Sequence, residues 1–198
     1  MFFQDNRKPR AGDALIIVDL QNDFLAGGAL PVPEGDAIVP VMNRYVELFQ
    51  SASLPVIATR CWHPAGHRSF ESGGPWPAHC IAWSEGAEFA RQLKLPDIDD
   101  VVLVSKGTNP ATRHPDSGFE ETDLEEHLRK QEVQRLFVGG LTLEHAVYAT
   151  AKDGLARGFD AILLQDAARP RDPRAAERAL SELQSLGVDF VDYARIAT

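Results

Sequence analysis

Cysteine is scarce in this chain: Cys61 and Cys80 are the only two in 198 residues, too few for the disulfide framework that staples small secreted domains. A lone pair in a chain of this size reads as free thiols or metal ligands. Basic charge is also short. With 20 Lys and Arg against 29 Asp and Glu the net charge is -9. No basic stripe offsets the acidic excess, which argues against nonspecific attraction to nucleic acid or anionic lipid. No apolar run has the length of a membrane span, and Met1 to Arg10 lacks the apolar core of a signal peptide. Cytoplasmic residence is therefore expected, with residues 1–10 a poorly structured N-terminal extension. Repeats and low-complexity tracts are missing too, and the 15 Gly and 13 Pro are spread through the chain. What remains is a length suited to one domain, residues 1–198, with a sizeable core and a single site for a small molecule. A homo-oligomer is left open.

Short runs rich in Val, Ile and Leu alternate with helical patterns, the signature of a parallel sheet covered on both faces. Strands are expected at Ala14 to Asp19, Pro55 to Thr59, Val101 to Ser105, Arg135 to Val138, Ala161 to Leu164 and Val188 to Val191. Helices are expected at Ala37 to Gln50, Gly86 to Leu93, Gly118 to Lys130, Leu143 to Arg157 and Pro173 to Leu186. The pattern predicts a three-layer α/β/α architecture whose six-stranded sheet is mostly parallel. The longest irregular region, Cys61 to Glu85, is crowded with Gly, Pro, Trp and His, where a bland linker would be rich in Ser, Lys and Glu.

Ligands of open α/β sheets bind beyond the carboxyl ends of the strands, so the residues ending each strand carry the functional information. The first strand ends at Asp19 and the second runs into Cys61-Trp62-His63. The third runs into Lys106, and the fourth into Gly139-Gly140 before a helix that opens around Glu144-His145-Ala146. Taken singly, Asp19 is an ordinary turn cap and Lys106 a surface cation. Together they place an acid, a cation, metal-ligand types and a helix N-terminus on one edge, a combination suited to hydrolysis.

Several ordered motifs make a more specific case. They are Asp19-Leu20-Gln21-Asn22-Asp23-Phe24, Gly27-Gly28-Ala29-Leu30, Trp62-His63-Pro64-Ala65-Gly66-His67, Trp76-Pro77-Ala78-His79-Cys80, Lys106-Gly107 and Asp116-Ser117-Gly118-Phe119. In that order the chain resembles the nicotinamidase branch of the isochorismatase-like hydrolase superfamily over nearly its whole length. The resemblance implies that family's fold and a triad of Asp, Lys and Cys, with Asp19 as acid and base and Lys106 beside it. In the family the cysteine follows a Gly-Leu-Ala-Leu-Glu-Tyr-like run at the start of a helix. This chain reads Gly140-Leu141-Thr142-Leu143-Glu144-His145-Ala146, so Ala146 occupies the nucleophile position, and a methyl group cannot attack a carbonyl carbon. His145, one position away, points about a quarter turn from the site and is a poor substitute.

The resemblance further implies an oxyanion hole from the backbone N–H groups of Thr142 and Ala146, beside a cis peptide at Leu141–Thr142. It also implies an aromatic sandwich from Phe24 and Trp76 around the substrate ring. Nicotinamidases carry Asp-Trp-His-Pro at their metal, whereas here Cys61 precedes Trp62-His63. Cys61, His63, His67 and His79 become the candidate ligands of a divalent ion, and a thiolate among imidazoles favours zinc. The competing reading leaves the ion absent, with Cys61 packed as a small apolar residue and the histidines bonding loop backbone. Cys80 is expected to be a packed thiol, and His114 and His127 to be solvated.

The leading expectation is a nicotinamidase, an amidohydrolase releasing nicotinate and ammonia from nicotinamide through a Cys thioester, inactive in this chain because of Ala146. Two origins fit that alanine: an introduced Cys-to-Ala exchange, which the retained surroundings favour, or a natural relative without amidase chemistry. The alternatives are a catalytically dead binding protein for a pyridine carboxamide or a protein partner, or a superfamily hydrolase acting on another small amide or a vinyl ether. Ala82, Trp83 and Glu85, where relatives tend to have Gln-Gly and Pro, keep the binding protein in play.

Overall fold

Every residue of Asp13–Val18 (β1) is buried, the mark of a strand covered on both faces. Its side chains alternate accordingly. Leu15 and Ile17 enter one apolar cluster with Met42, Tyr45, Val46 and Phe49 of helix α1 (Val39–Ser51). Ala14, Ile16 and Val18 enter a second cluster on the opposite face. The latter gathers residues of α2 (Leu124–Lys130), α3 (Tyr148–Ala156) and α4 (Pro173–Ser185). A short α5 (Tyr193–Ile196) returns to the α1 face through Ile196. The computed structural model describes residues 7–70, 74–97 and 99–197.

The sheet has six strands in the order β3-β2-β1-β4-β5-β6. The others are β2 (Val56–Cys61), β3 (Val101–Lys106), β4 (Arg135–Leu141), β5 (Asp160–Arg169) and β6 (Asp189–Val191). All adjacent pairs are parallel, a stricter arrangement than the mostly parallel sheet expected. The strand order reverses between β1 and β4, so the carboxyl ends of these two strands flank the crevice where such sheets hold ligands. At the opposite rim, Arg135 holds Asp13 through two nitrogens, at 2.9 and 2.7 Å, pinning β4 to β1.

Several boundaries differ from the sequence expectation. Residues 86–93 form no helix beyond a single turn at Glu85–Ala87. Their backbone is taken up by the segment after β1: Asn22 N–H donates to Glu88 O and Ala90 N–H to Leu20 O. The helix expected from Gly118 starts only at Leu124, because Gly118 N–H is claimed by Thr150 Oγ1 and Glu121 adopts a left-handed φ of 57°. β4 continues through Gly139-Gly140 to Leu141. At Gly140 (φ 132°) a Cβ would collide with the Val18 carbonyl, so only glycine lets β4 lie this close to β1. The helix expected from Leu143 opens as a π turn, Leu143–Val147, before α3. Of the expected N-terminal extension, residues 1–6 lie outside the described ones; Lys8 O accepts from Arg135 and Arg10 N–H donates to Asp13. Among the described residues no helix is long and apolar enough to cross a membrane.

Candidate active site

Asp19 follows β1 in a left-handed conformation (φ 47°), one Asp tolerates better than most residues. Its Oδ1 accepts from Thr59 Oγ1 at 2.8 Å and its Oδ2 meets Lys106 Nζ at 2.8 Å. Lys106 is the last residue of β3, two strands away, and is fully buried. Its other protons go to the carbonyls of Pro115 and Asp116, at 3.1 and 3.0 Å. Burial alone pulls the ammonium toward neutrality, but the adjoining Asp19 carboxylate outweighs it and the net shift is upward. The pair is thus ionic, buried and fully hydrogen-bonded.

The segment after β1 is a set of clamps. Gln21 donates from Nε2 to Cys61 O at 2.7 Å and accepts the Cys61 N–H at 2.8 Å. Asn22 donates to Glu85 O, and Asp23 accepts from Cys80 N–H at 2.6 Å. Both cysteines are buried free thiols. Cys61 ends β2 in register with Lys106, and its Sγ stands 3.5 Å from Asp19 Oδ2 and 3.9 Å from His114 Nε2.

Around that thiol lie four imidazoles. His63 sits with ring centroids 4.5 Å from His67, 5.2 Å from His79 and 4.9 Å from His114. Desolvation pushes His63 down to about 3 and His114 down to about 2, and it also lowers His67 and His79. All four are therefore neutral near pH 7. Among the described residues, each has one ring nitrogen buried without a partner: Nε2 of His63, His67 and His79, and Nδ1 of His114. Four such orphans in one place are costly unless something receives them.

A small cavity of about 40 Å³ opens onto this group. Asp19, Cys61, His79 and His114 line it from the sheet side, Thr142 and Ala146 from the start of the helix, and Phe24 and Trp76 from the loops. Ala146 is buried, and Thr142 Oγ1 has no partner among the described residues. The Leu141–Thr142 peptide is cis. A wider open groove along Asn22, Asp36, Glu85 and Arg91 gathers none of this chemistry.

Residues 13–195 match the isochorismatase domain. The chain belongs to the isochorismatase family. It is 37% identical to a nicotinamidase of Escherichia coli over 88% of this chain and 92% of that one. Among solved structures, it is similar to a pyrazinamidase of Pyrococcus horikoshii in complex with zinc, with 46% identity, a TM-score of 0.88, and 92% and 99% of the two chains covered. A protein of L. infantum in complex with nicotinate gives 32% identity and a TM-score of 0.86 over 94% and 95%.

In this isochorismatase-family chain, every site residue expected from the sequence lies in or beside one cluster. His127, on α2, is partly exposed and pairs with Asp123. The correction is His114, expected to be solvated. It is largely buried, stacked on His79 at 5.5 Å and in contact with Cys61. The cause is long-range: Lys106 draws in the Pro115 and Asp116 carbonyls and folds the loop carrying His114 over the sheet rim. Arg171 was also missed. Glu144, buried behind Ala146, accepts from the N–H groups of Arg171 and Asp172 at 3.0 and 2.8 Å and so brings Arg171 to the cavity wall, 5.7 Å from the Trp76 ring. His145, itself exposed, closes the same wall edge-on to Trp76.

Proposed function

We propose that this chain carries the site of a nicotinamidase and, with Ala146 in the nucleophile position, binds the amide without hydrolysing it. The observation that carries the reading is the Asp19–Lys106 ion pair facing Thr142 and Ala146 across a cavity walled by Phe24 and Trp76. The similar proteins named above, called nicotinamidase, called pyrazinamidase or bound to nicotinate, support a flat nitrogen heterocycle as ligand.

In a form with cysteine at this position, Asp19 takes the thiol proton and the thiolate adds to the amide carbon. The backbone N–H groups of Thr142 and residue 146 hold the oxyanion. Collapse returns the proton to nitrogen, ammonia leaves and a thioester remains. Water, deprotonated by Asp19, then releases nicotinate and restores the thiol. Lys106, ion-paired with Asp19 at 2.8 Å, holds its carboxylate in place for both proton transfers. Alanine has no lone pair, so the sequence stops at binding.

The donor set fits a divalent ion. Cys61, His63, His67 and His79 are the ligands expected from the sequence, and the orphaned Nε2 atoms of His63 and His79 support such a centre. A thiol among imidazoles favours zinc over magnesium or manganese. When bound, the ion supplies a Lewis acid that anchors a ring nitrogen of the substrate. A second reading, a superfamily site for a different small amide, is favoured by Thr142 Oγ1, an unpartnered hydroxyl on the cavity wall where relatives tend to have alanine. Calorimetric titration of the chain with nicotinamide and with aliphatic amides separates the two. Saturable binding of nicotinamide alone supports the first, and binding only of the aliphatic amides overturns it.

A further inference from the structure

We propose that the divalent ion is held by Cys61, His63 and His114, with His79 as the fourth donor, and that His67 stands outside the coordination shell. This deepens the metal part of the function proposed above and rests on it. Ligand atoms that share a zinc-like ion at about 2.0–2.3 Å must themselves lie within roughly 4 Å of one another. Among the described residues, the group of His, Cys and carboxylate donors that approaches this is Cys61, His63 and His114, whose donor atoms all lie within 4.8 Å of one another; His79 falls outside that group and is assigned as the fourth donor from its free Nε2.

The hydrogen bonds decide which imidazoles offer a lone pair. His63 Nδ1 donates to Gly107 O at 3.0 Å and His79 Nδ1 to Pro77 O at 2.8 Å. Carbonyls only accept, so in both neutral rings the proton sits on Nδ1 and Nε2 is free to ligate, the usual outer-shell arrangement of a metal-bound histidine. His67 is the reverse. The Ser69 hydroxyl meets His67 Nδ1 at 2.8 Å and the Ser69 N–H donates to the same nitrogen at 3.2 Å; because a backbone N–H can only donate, Nδ1 is the acceptor and the proton is left on Nε2. A protonated nitrogen cannot ligate. His114 spends no ring nitrogen on backbone: its Nε2 faces Cys61 Sγ and its Nδ1 is buried without a partner. His67 instead packs on the rings of His63 and Phe70, where it buttresses His63.

The test uses the metal-stripped full chain and metal alone. Zinc affinity is measured by competition with a chelating dye, and cobalt(II) is added as a spectroscopic stand-in. One equivalent of zinc is expected, with an intense thiolate-to-cobalt charge-transfer band that Cys61→Ser abolishes. His114→Ala should weaken zinc by well over about 100-fold, and His67→Ala by only about tenfold, the low end of what an outer-shell partner costs. Equal losses in the two variants, or an unchanged affinity in His114→Ala, would overturn the assignment, as would failure of the parent chain to bind zinc. Should His114→Ala not fold, His114→Cys keeps the question open to measurement: a second thiolate strengthens the charge-transfer band, and an unaltered band contradicts the proposal. No amide enters these experiments, so their failure leaves the nicotinamide reading to its own test.

Discussion

Lys106 at the end of β3 and Asp19 just past the end of β1, two strands separated in the sheet by β2, form a 2.8 Å ion pair with both side chains buried. The same ammonium holds the Pro115 and Asp116 carbonyls. One cation therefore neutralises the candidate acid, closes a loop over the sheet rim and brings His114 against Cys61.

Removing that cation should cost more than removing the pair. Lys106→Met leaves a buried carboxylate without its partner, and a loss of about 3–5 kcal/mol is expected. The double variant Asp19→Asn with Lys106→Met should recover a large part of it. Urea unfolding of the two single variants and the double checks this, and simply additive losses would show that the residues are not coupled.

Gly107 turns with φ 67°, and a Cβ there would run into the His63 ring. Gly107→Ala should therefore destabilise the protein by about 1–3 kcal/mol and weaken zinc by displacing the ring whose Nδ1 its carbonyl accepts. Thermal unfolding with and without zinc reads both effects. A variant with parent-like stability and zinc response would contradict the packing described here.

The pH response of the metal-stripped protein follows from the buried neutral histidines. Folding lowers His63 to about 3 and His114 to about 2, while the unfolded side chains titrate near the ordinary value of about 6.5. Below that value the unfolded chain binds protons that the folded one refuses, so stability is fully present above about pH 6.5 and is lost as pH falls toward 3. The urea midpoint should decline over this window, and His63→Gln should decline less steeply. A midpoint independent of pH between 6.5 and 4 would refute the burial of neutral rings.

Trp76 and Phe24 wall the cavity from different loops. If they flank a planar ring, each truncation to alanine should weaken nicotinamide binding by about two- to tenfold, the range of an aromatic contact beyond simple burial. Stability should change less for half-exposed Trp76 than for buried Phe24. Calorimetric titration of both variants measures the affinities, and an unchanged affinity in Trp76→Ala would remove it from the site.

The sheet was legible because each strand announces itself as a short apolar run, and the site because Asp19, Cys61 and Lys106 fall where those runs stop. What sequence could not convey depends on contacts between distant segments. Residues 86–93 carry a helical pattern, yet their backbone bonds to the stretch after β1. His114 sits in a polar loop and reads as solvated until Lys106 folds that loop inward. Which histidines can ligate depends on whether a ring nitrogen meets a carbonyl or an N–H, as Gly107 and Ser69 show for His63 and His67.

The most direct test of the central claim is ammonia release from nicotinamide, measured side by side for this chain and for Ala146→Cys, both folded and zinc-loaded. The expected result is no detectable release from the chain as it stands and at least about a 10³-fold gain on restoring the thiol, in keeping with the cost of losing a member of a catalytic triad. A folded, nicotinamide-binding Ala146→Cys protein that releases no ammonia, or equal release by both proteins, would contradict it.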